Sequence, residues 1–241
     1  MKKMNIHTEV TKLLADTYTP VGIYLRLRDR FRDTVLLEST DSHASENSYS
    51  FIAVNAIGGI EISSMNEIEY KYPNQEPIRE TIQEVQAAPN RLWAYMQEYA
   101  MTSETKEAKF AQGLYGYTAY DAIPFFDTIE FKEGAPIIPL MRYRLYQYVI
   151  AFNHFKDELY ICENKLEGVE SELAALIGYI KSKDVPQYPF SLVGKESSNQ
   201  TDDQYREAVK KGIQHCMRGD VFQIVLSRRF QQSFQGDEFN V

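Results

Sequence analysis

An α+β fold, mainly antiparallel sheet with flanking helices, is predicted by three features of this sequence. First, β-type runs follow one another with turn residues between them, as in Val35-Leu36-Leu37 and Tyr49-Ser50-Phe51-Ile52. Second, aromatic residues make up 13% of the chain, with 17 Tyr and 13 Phe, and such residues favour pleated surfaces. Third, stretches of helical spacing begin at Pro89, at Glu167 and at Thr201. The chain has 241 residues, enough for one large domain or two small ones, and 44% of them are hydrophobic, enough for a sizeable core.

In chain order, Thr8 to Ala15 reads as a short helix or an edge strand. Pro20 opens a short helix through Leu27, because a first-turn proline gives up no intrahelical donor. Strands are expected at about 33–38 and 49–55. Ile57 to Ile62 reads as another, with Gly58 and Gly59 at a bend or bulge, and Asn66 to Tyr72 closes a meander. In the helix at Pro89, Leu92, Trp93, Met96, Tyr99 and Ala100 recur on one side, which makes Trp93, the only tryptophan, a core residue. Gly113 to Asp121 reads as a buried strand whose Gly116 lets another backbone pass close by. Phe125 to Ile138 is a loop. Met141 to Phe155 is a long β run that turns at Lys156-Asp157 into Glu158 to Cys162, and Glu167 to Lys181 is an amphipathic helix.

Asp184 to Gln200 is rich in Pro, Ser, Gly and charge and reads as a linker. Thr201-Asp202-Asp203-Gln204 then forms a capping box, with two acids at the positive helix end, and Gly219 stops the helix. Val221 to Phe230 reads as a strand. The organisation predicted is therefore a domain over 1–183, a linker over 184–200 and a second segment over 201–241.

Charge and composition exclude several functions. The 26 basic and 34 acidic residues give −8, with no basic cluster suited to nucleic acid; Arg26, Arg28, Arg30 and Arg32 are interleaved with Asp29 and Asp33 and read as a solvated face. No apolar run approaches the roughly 18 residues of a membrane span, and no apolar region of a signal peptide follows Lys2 and Lys3. Cys162 and Cys216 fit reduced thiols in the cytoplasm, and the four histidines show no metal-ligand spacing.

The chemistry-bearing stretch is Leu36-Leu37-Glu38-Ser39. An apolar run ends in a carboxylate and a hydroxyl, a polar loop over 40–48 follows, and a second strand starts at Tyr49. Strand mouths offer polar groups to ligands. A carboxylate can accept from an ammonium and a hydroxyl can donate to a carboxylate, a pair suited to a free amino acid. The same residues also read as a solvated carboxylate and a turn-opening serine.

Leu36-Leu37-Glu38-Ser39 followed by Tyr49-Ser50-Phe51-Ile52 resembles the amino-terminal region of the anthranilate synthase component I family. Gly113 to Asp121 is similar to that family's Gly-Tyr-x-x-Tyr-Asp element. Gly219-Asp220-Val221-Phe222-Gln223-Ile224-Val225-Leu226-Ser227-Arg228-Arg229-Phe230 resembles the opening of its chorismate-binding domain. The likeness runs from Leu13 to Phe234.

It implies the component I fold, in truncated form, and a lyase of tryptophan biosynthesis. That enzyme converts chorismate and ammonia, supplied from glutamine by an amidotransferase subunit, to anthranilate and pyruvate. It implies Mg²⁺ in the full-length enzyme, none in this chain, and no catalytic residue here. It implies tryptophan as a feedback effector bound by Leu37, Glu38, Ser39, Tyr49 and Ser50, with a second wall of that site in the remainder of the catalytic domain. Sister enzymes, aminodeoxychorismate synthase component I and isochorismate synthase, and a stand-alone amino-acid-binding module are the alternatives. Self-association through the uncovered strand over 221–230 is also expected.

Overall fold

Among the described residues, nine strands of the first unit form one sheet. The computed structural model describes residues 3–38, 48–129, 136–186 and 188–240. The chain divides into two units, Met1–Val185 and Pro186–Val241. The first runs β1 (Met4–Leu14), α1 (Pro20–Leu27), β2 (Val35–Leu37), β3 (Tyr49–Ile62), β4 (Glu67–Lys71), β5 (Ile78–Thr81), α2 (Ala88–Gln97), β6 (Tyr99–Thr102), β7 (Tyr115–Thr118), β8 (Met141–Asn153), β9 (Glu158–Lys165) and α3 (Leu173–Lys181). The strand order is β5-β4-β3-β8-β9-β1-β6, with β2 added to β3 and β7 to β8. Only β1 and β6 pair in parallel among the described strands, so the α+β, mainly antiparallel expectation holds.

β8 is the spine. It pairs with β3, β7 and β9, and its residues from Arg144 to Asn153 are buried, which explains its long apolar run without alternation. On one side Ile23, Leu27, Leu176 and Ile180 of α1 and α3 pack against Ile52, Ile150, Leu159 and Ile161. Elsewhere Tyr95 of α2 joins Ile60, Ile62, Ile68 and Leu145. A third cluster gathers Ala53, Val149 and Ala151 with Phe110, Tyr115 and Tyr146.

Local signals set several boundaries. The Thr19 hydroxyl caps α1 by accepting from Gly22 N, and Pro20 occupies the first turn. Thr8 to Leu14 belongs to a strand, not a helix. Ile57 to Ile62 is no separate strand but the second half of β3, past a bulge between Ala56 and Gly58. The helix expected from Glu167 begins only at Leu173. Gly168 is left-handed (φ 79°), and Gln147 Nε2 donates to Glu170 O at 2.7 Å, which ties down the lead-in. Trp93 is 60% exposed and not core: α2 turns Ala88 and Tyr95 inward, and Trp93 lies off that stripe.

The second unit contains β10 (Phe190–Ser198), α4 (Asp202–Arg218) and β11 (Phe230–Gly236). Residues 190–198, expected as linker, form a strand because they pair antiparallel with β11, where Phe190 meets Phe234 at 5.5 Å between ring centroids. The capping box of α4 is present: Thr201 Oγ1 accepts from Gln204 N, and Gln204 Oε1 accepts from Thr201 N at 2.8 Å. Gly219, at φ 78°, ends the helix. The strand expected from Val221 starts only at Phe230. Ile224 and Leu226 lie instead beside α4, where Tyr205 OH donates to Leu226 O at 3.4 Å and both pack by Gly212.

Candidate functional site

The mouth of the β2–β3 pair is where the sequence places its candidate residues. Leu37 stands opposite Phe51 and Leu36 opposite Ile52 in an antiparallel register. Glu38 follows the last paired residue of β2, and Ser50 pairs with Phe152 of β8. Directly opposed residues share a face and neighbours along a strand alternate, so the candidates divide. Ser50 lies on the face of Ile52, the side covered by α1 and α3. Leu37 and Tyr49 lie on the other face with Phe51. There the Tyr49 ring is 6.1 Å from Phe51 and 4.9 Å from Phe110. Ser39 lies outside the described residues.

Glu38 is exposed and Ser50 is 1% exposed. The Ser50 hydroxyl sits 2.7 Å from His154 Nε2. His154 follows β8 and lies 4.9 Å from the Phe152 ring, on the same face. Two more bonds tie this end: His154 N donates to Ser48 O at 3.1 Å, and Asn153 Nδ2 donates to Tyr49 OH at 2.9 Å.

β8 also holds the entry to β2. Asp33 takes a left-handed backbone (φ 51°) in the turn before the strand. Arg142 Nη2 donates to Asp33 Oδ1 at 2.7 Å, and Tyr146 OH donates to Asp33 O at 2.6 Å. Burial, with the Asp33 charge adding to it, pushes the Tyr146 phenol up to about 12. Arg144, whose side chain is 3% exposed, donates to Glu61 and lies 3.6 Å from Asp33. Asp33 before β2 and Ser48 and Ser50 at the start of β3 are therefore each bonded to β8 or to the residue that follows it, more than a hundred residues away. Arg142, Arg144 and His154 carry no local signal in the sequence, because their partners are reached only through strand pairing.

A recess of about 380 Å³ opens elsewhere, over β3, β4 and β5, lined by Glu61, Ser63, Glu67, Glu69, Arg79 and Thr81 among others. Its carboxylates are already engaged. Glu69 pairs with Arg79 at 2.8 Å and Lys71 at 3.2 Å, Glu67 accepts from Ser63, and Glu61 pairs with Arg142 and Arg144. Burial alone would raise the Glu69 carboxyl, but the hydrogen bonds from Arg79 and Lys71 outweigh it and hold the group below its usual range. Among the described residues no group of three or more His, Cys, Asp or Glu could hold a metal ion.

Residues 55–241 match the family described as chorismate binding enzyme. The chain is similar to anthranilate synthase component 1 of Aquifex aeolicus, 28% identical over 98% of this chain and 50% of the relative. It is also similar to anthranilate synthase component 1 of Lactococcus lactis, 26% identical over 96% of this chain and 50% of that one. The solved structure of anthranilate synthase component I from Streptococcus pneumoniae shares the fold, with a TM-score of 0.50 at 20% identity, over 95% of this chain and 50% of that chain. The chain spans about half the length of the curated relatives it matches.

Proposed function

The chain belongs to the chorismate binding enzyme family, and on that premise we propose that it is the effector-binding part of an anthranilate synthase large subunit, acting in the cytoplasm in tryptophan biosynthesis. The reaction assigned adds ammonia, supplied by a glutamine amidotransferase subunit, to chorismate, and releases water and pyruvate to leave anthranilate. Support comes from the relatives, which are anthranilate synthase components over nearly all of this chain. A reducing compartment fits its free thiols, Cys162 and Cys216. No helix among the described residues is long and apolar enough to cross a membrane.

What supports the regulatory reading is that Glu38 directly follows β2 and Ser50 lies near the start of β3, the strand paired with β2. The Glu38 carboxylate accepts from the ammonium of tryptophan, and hydroxyls of Ser39 and Ser50 donate to its carboxylate. The Mg²⁺ of the proposed reaction does not fit the described residues. It requires octahedral oxygen ligands, and the clustered carboxylates here are already paired with Arg142, Arg144, Arg79 and Lys71.

The test is inhibition in the complete subunit, followed by anthranilate fluorescence with chorismate, Mg²⁺ and ammonia. Glu38→Ala should raise the tryptophan inhibition constant about ten- to a hundredfold, the worth of one hydrogen bond to a charged group, and leave the uninhibited rate unchanged. This chain alone should form no anthranilate in the same assay. A lower turnover with an unaltered inhibition constant would reject the site.

A further inference from the structure

We propose that His154 is a positioning residue whose ring tautomer sets the direction of the Ser50 hydroxyl, and so whether Ser50 can donate to a ligand carboxylate. The inference rests on the effector reading above.

Ser50 is 1% exposed, so bulk water does not compete for its hydroxyl, and His154 Nε2 at 2.7 Å is its side-chain partner. A serine hydroxyl has one proton to give. A neutral imidazole carries a proton on one ring nitrogen and accepts at the other. With the proton on Nδ1, Nε2 is bare, Ser50 donates to it, and no proton remains for a ligand. With the proton on Nε2, His154 donates, Ser50 becomes the acceptor, and its own proton turns outward. A carboxylate arriving beside Ser50 therefore favours the Nε2–H form. No bond is made or broken beyond this proton relocation within the ring. The ring is also well held: His154 N is bonded to Ser48 O at 3.1 Å, and Phe152 packs beside the imidazole.

The experiment is a ¹⁵N NMR titration of this chain with L-tryptophan at millimolar concentration, read at the His154 ring nitrogens and at the Glu38 and Ser50 amides. Tryptamine, which lacks the carboxylate, is the control ligand. Tryptophan should move Nε2 from the range of a bare ring nitrogen toward that of a ring N–H, and tryptamine should not. His154→Ala should weaken tryptophan binding about fivefold, within the net worth of one hydrogen bond. His154→Gln, whose side-chain amide can still donate to Ser50, should stay within about twofold of wild type by the same reckoning. Adding Ser50→Ala to His154→Ala should weaken binding no further than Ser50→Ala alone, because the two act through one bond. Unmoved ring nitrogens together with additive losses would overturn this inference and leave the effector site standing. Absence of any shift at Glu38 and Ser50 would overturn the effector reading, and this inference with it.

Discussion

Gly116→Val should destabilise the first unit by about 3–5 kcal/mol, a large part of the roughly 5–15 kcal/mol that holds a domain folded. A Cβ at this position would lie 1.8 Å from Arg142 O and 2.8 Å from both Arg142 C and Tyr143 Cα. All three are backbone atoms of β8, which cannot retreat because β3 and β9 are bonded to it as well. The strain is relieved only if β7 lifts off. That would take Tyr115 from its contacts with Phe51 and Tyr146 and break its hydroxyl bond to Phe110 O. Urea unfolding measures the loss. Gly113→Ala is the internal control: nothing lies within 4 Å of a Cβ there, so it should change stability little. Equal midpoints for Gly116→Val and wild type would show that β7 does not cross β8 as described.

Stability should fall steeply between about pH 10 and 12. Burial pushes the phenols of Tyr95, Tyr146 and Tyr148 each up to about 12. All three are nearly inaccessible, at 0%, 4% and 0% exposure. Their hydroxyls are committed inside: Tyr95 donates to Lys71 O at 2.7 Å, Tyr146 to Asp33 O at 2.6 Å, and Tyr148 to Glu163 Oε1 at 3.1 Å. In the unfolded chain a tyrosine ionises near pH 10. Below that value both states hold the proton and the full stability is present. Above it the unfolded state alone gains by ionising, until the folded phenol titrates too. Each tyrosine therefore withdraws about 1.4 kcal/mol per pH unit across the window, or about 2–3 kcal/mol in all. Urea unfolding at pH 8, 10 and 11.5, with phenolate absorbance as a second readout, checks the window. A midpoint unchanged to pH 12 would mean that these rings are not sealed in the fold.

The legible parts of this chain are those whose signals are local. Thr201 and Gln204 announce their helix because the capping box closes over four residues, and Gly219 ends it within the same chain segment. Lys156-Asp157 marks the β8–β9 turn, where Asp157 is left-handed at φ 50°. The strand ends flanking Glu38 and Tyr49 were readable because an apolar run stops abruptly at a polar loop. Gly116 is readable as a close crossing, since glycine in a strand pattern has few other reasons, but the strand around it is half-buried to exposed and not buried as expected.

Pairings across long separations were not legible. Residues 190–198 look like linker until β11 supplies their ladder, and residues 221–229 look like strand although only Phe230 onward joins one. Trp93 fits a helical stripe by spacing, yet the sheet beneath α2 selects Tyr95 for the interior. At the candidate site, the division of Ser50 from Leu37 and Tyr49 follows from the register of β2 on β3. The contacts of Arg142, Arg144 and His154 follow from where β8 falls in the sheet. Neither is written in any short window of sequence.

We propose that tryptophan meets the polar half of its site in this chain, at the Glu38 carboxylate and the Ser50 hydroxyl. Calorimetric titration of the chain with L-tryptophan tests it most directly. Burying an indole removes about 150–250 Å² of surface and is worth on the order of 4–6 kcal/mol when both sides are covered. With only this half present, much of that gain is lost. The account predicts a dissociation constant in the millimolar range, near −4 kcal/mol, and loss of measurable heat in both Glu38→Ala and Ser50→Ala. Micromolar binding, or millimolar binding that survives both substitutions, would contradict it.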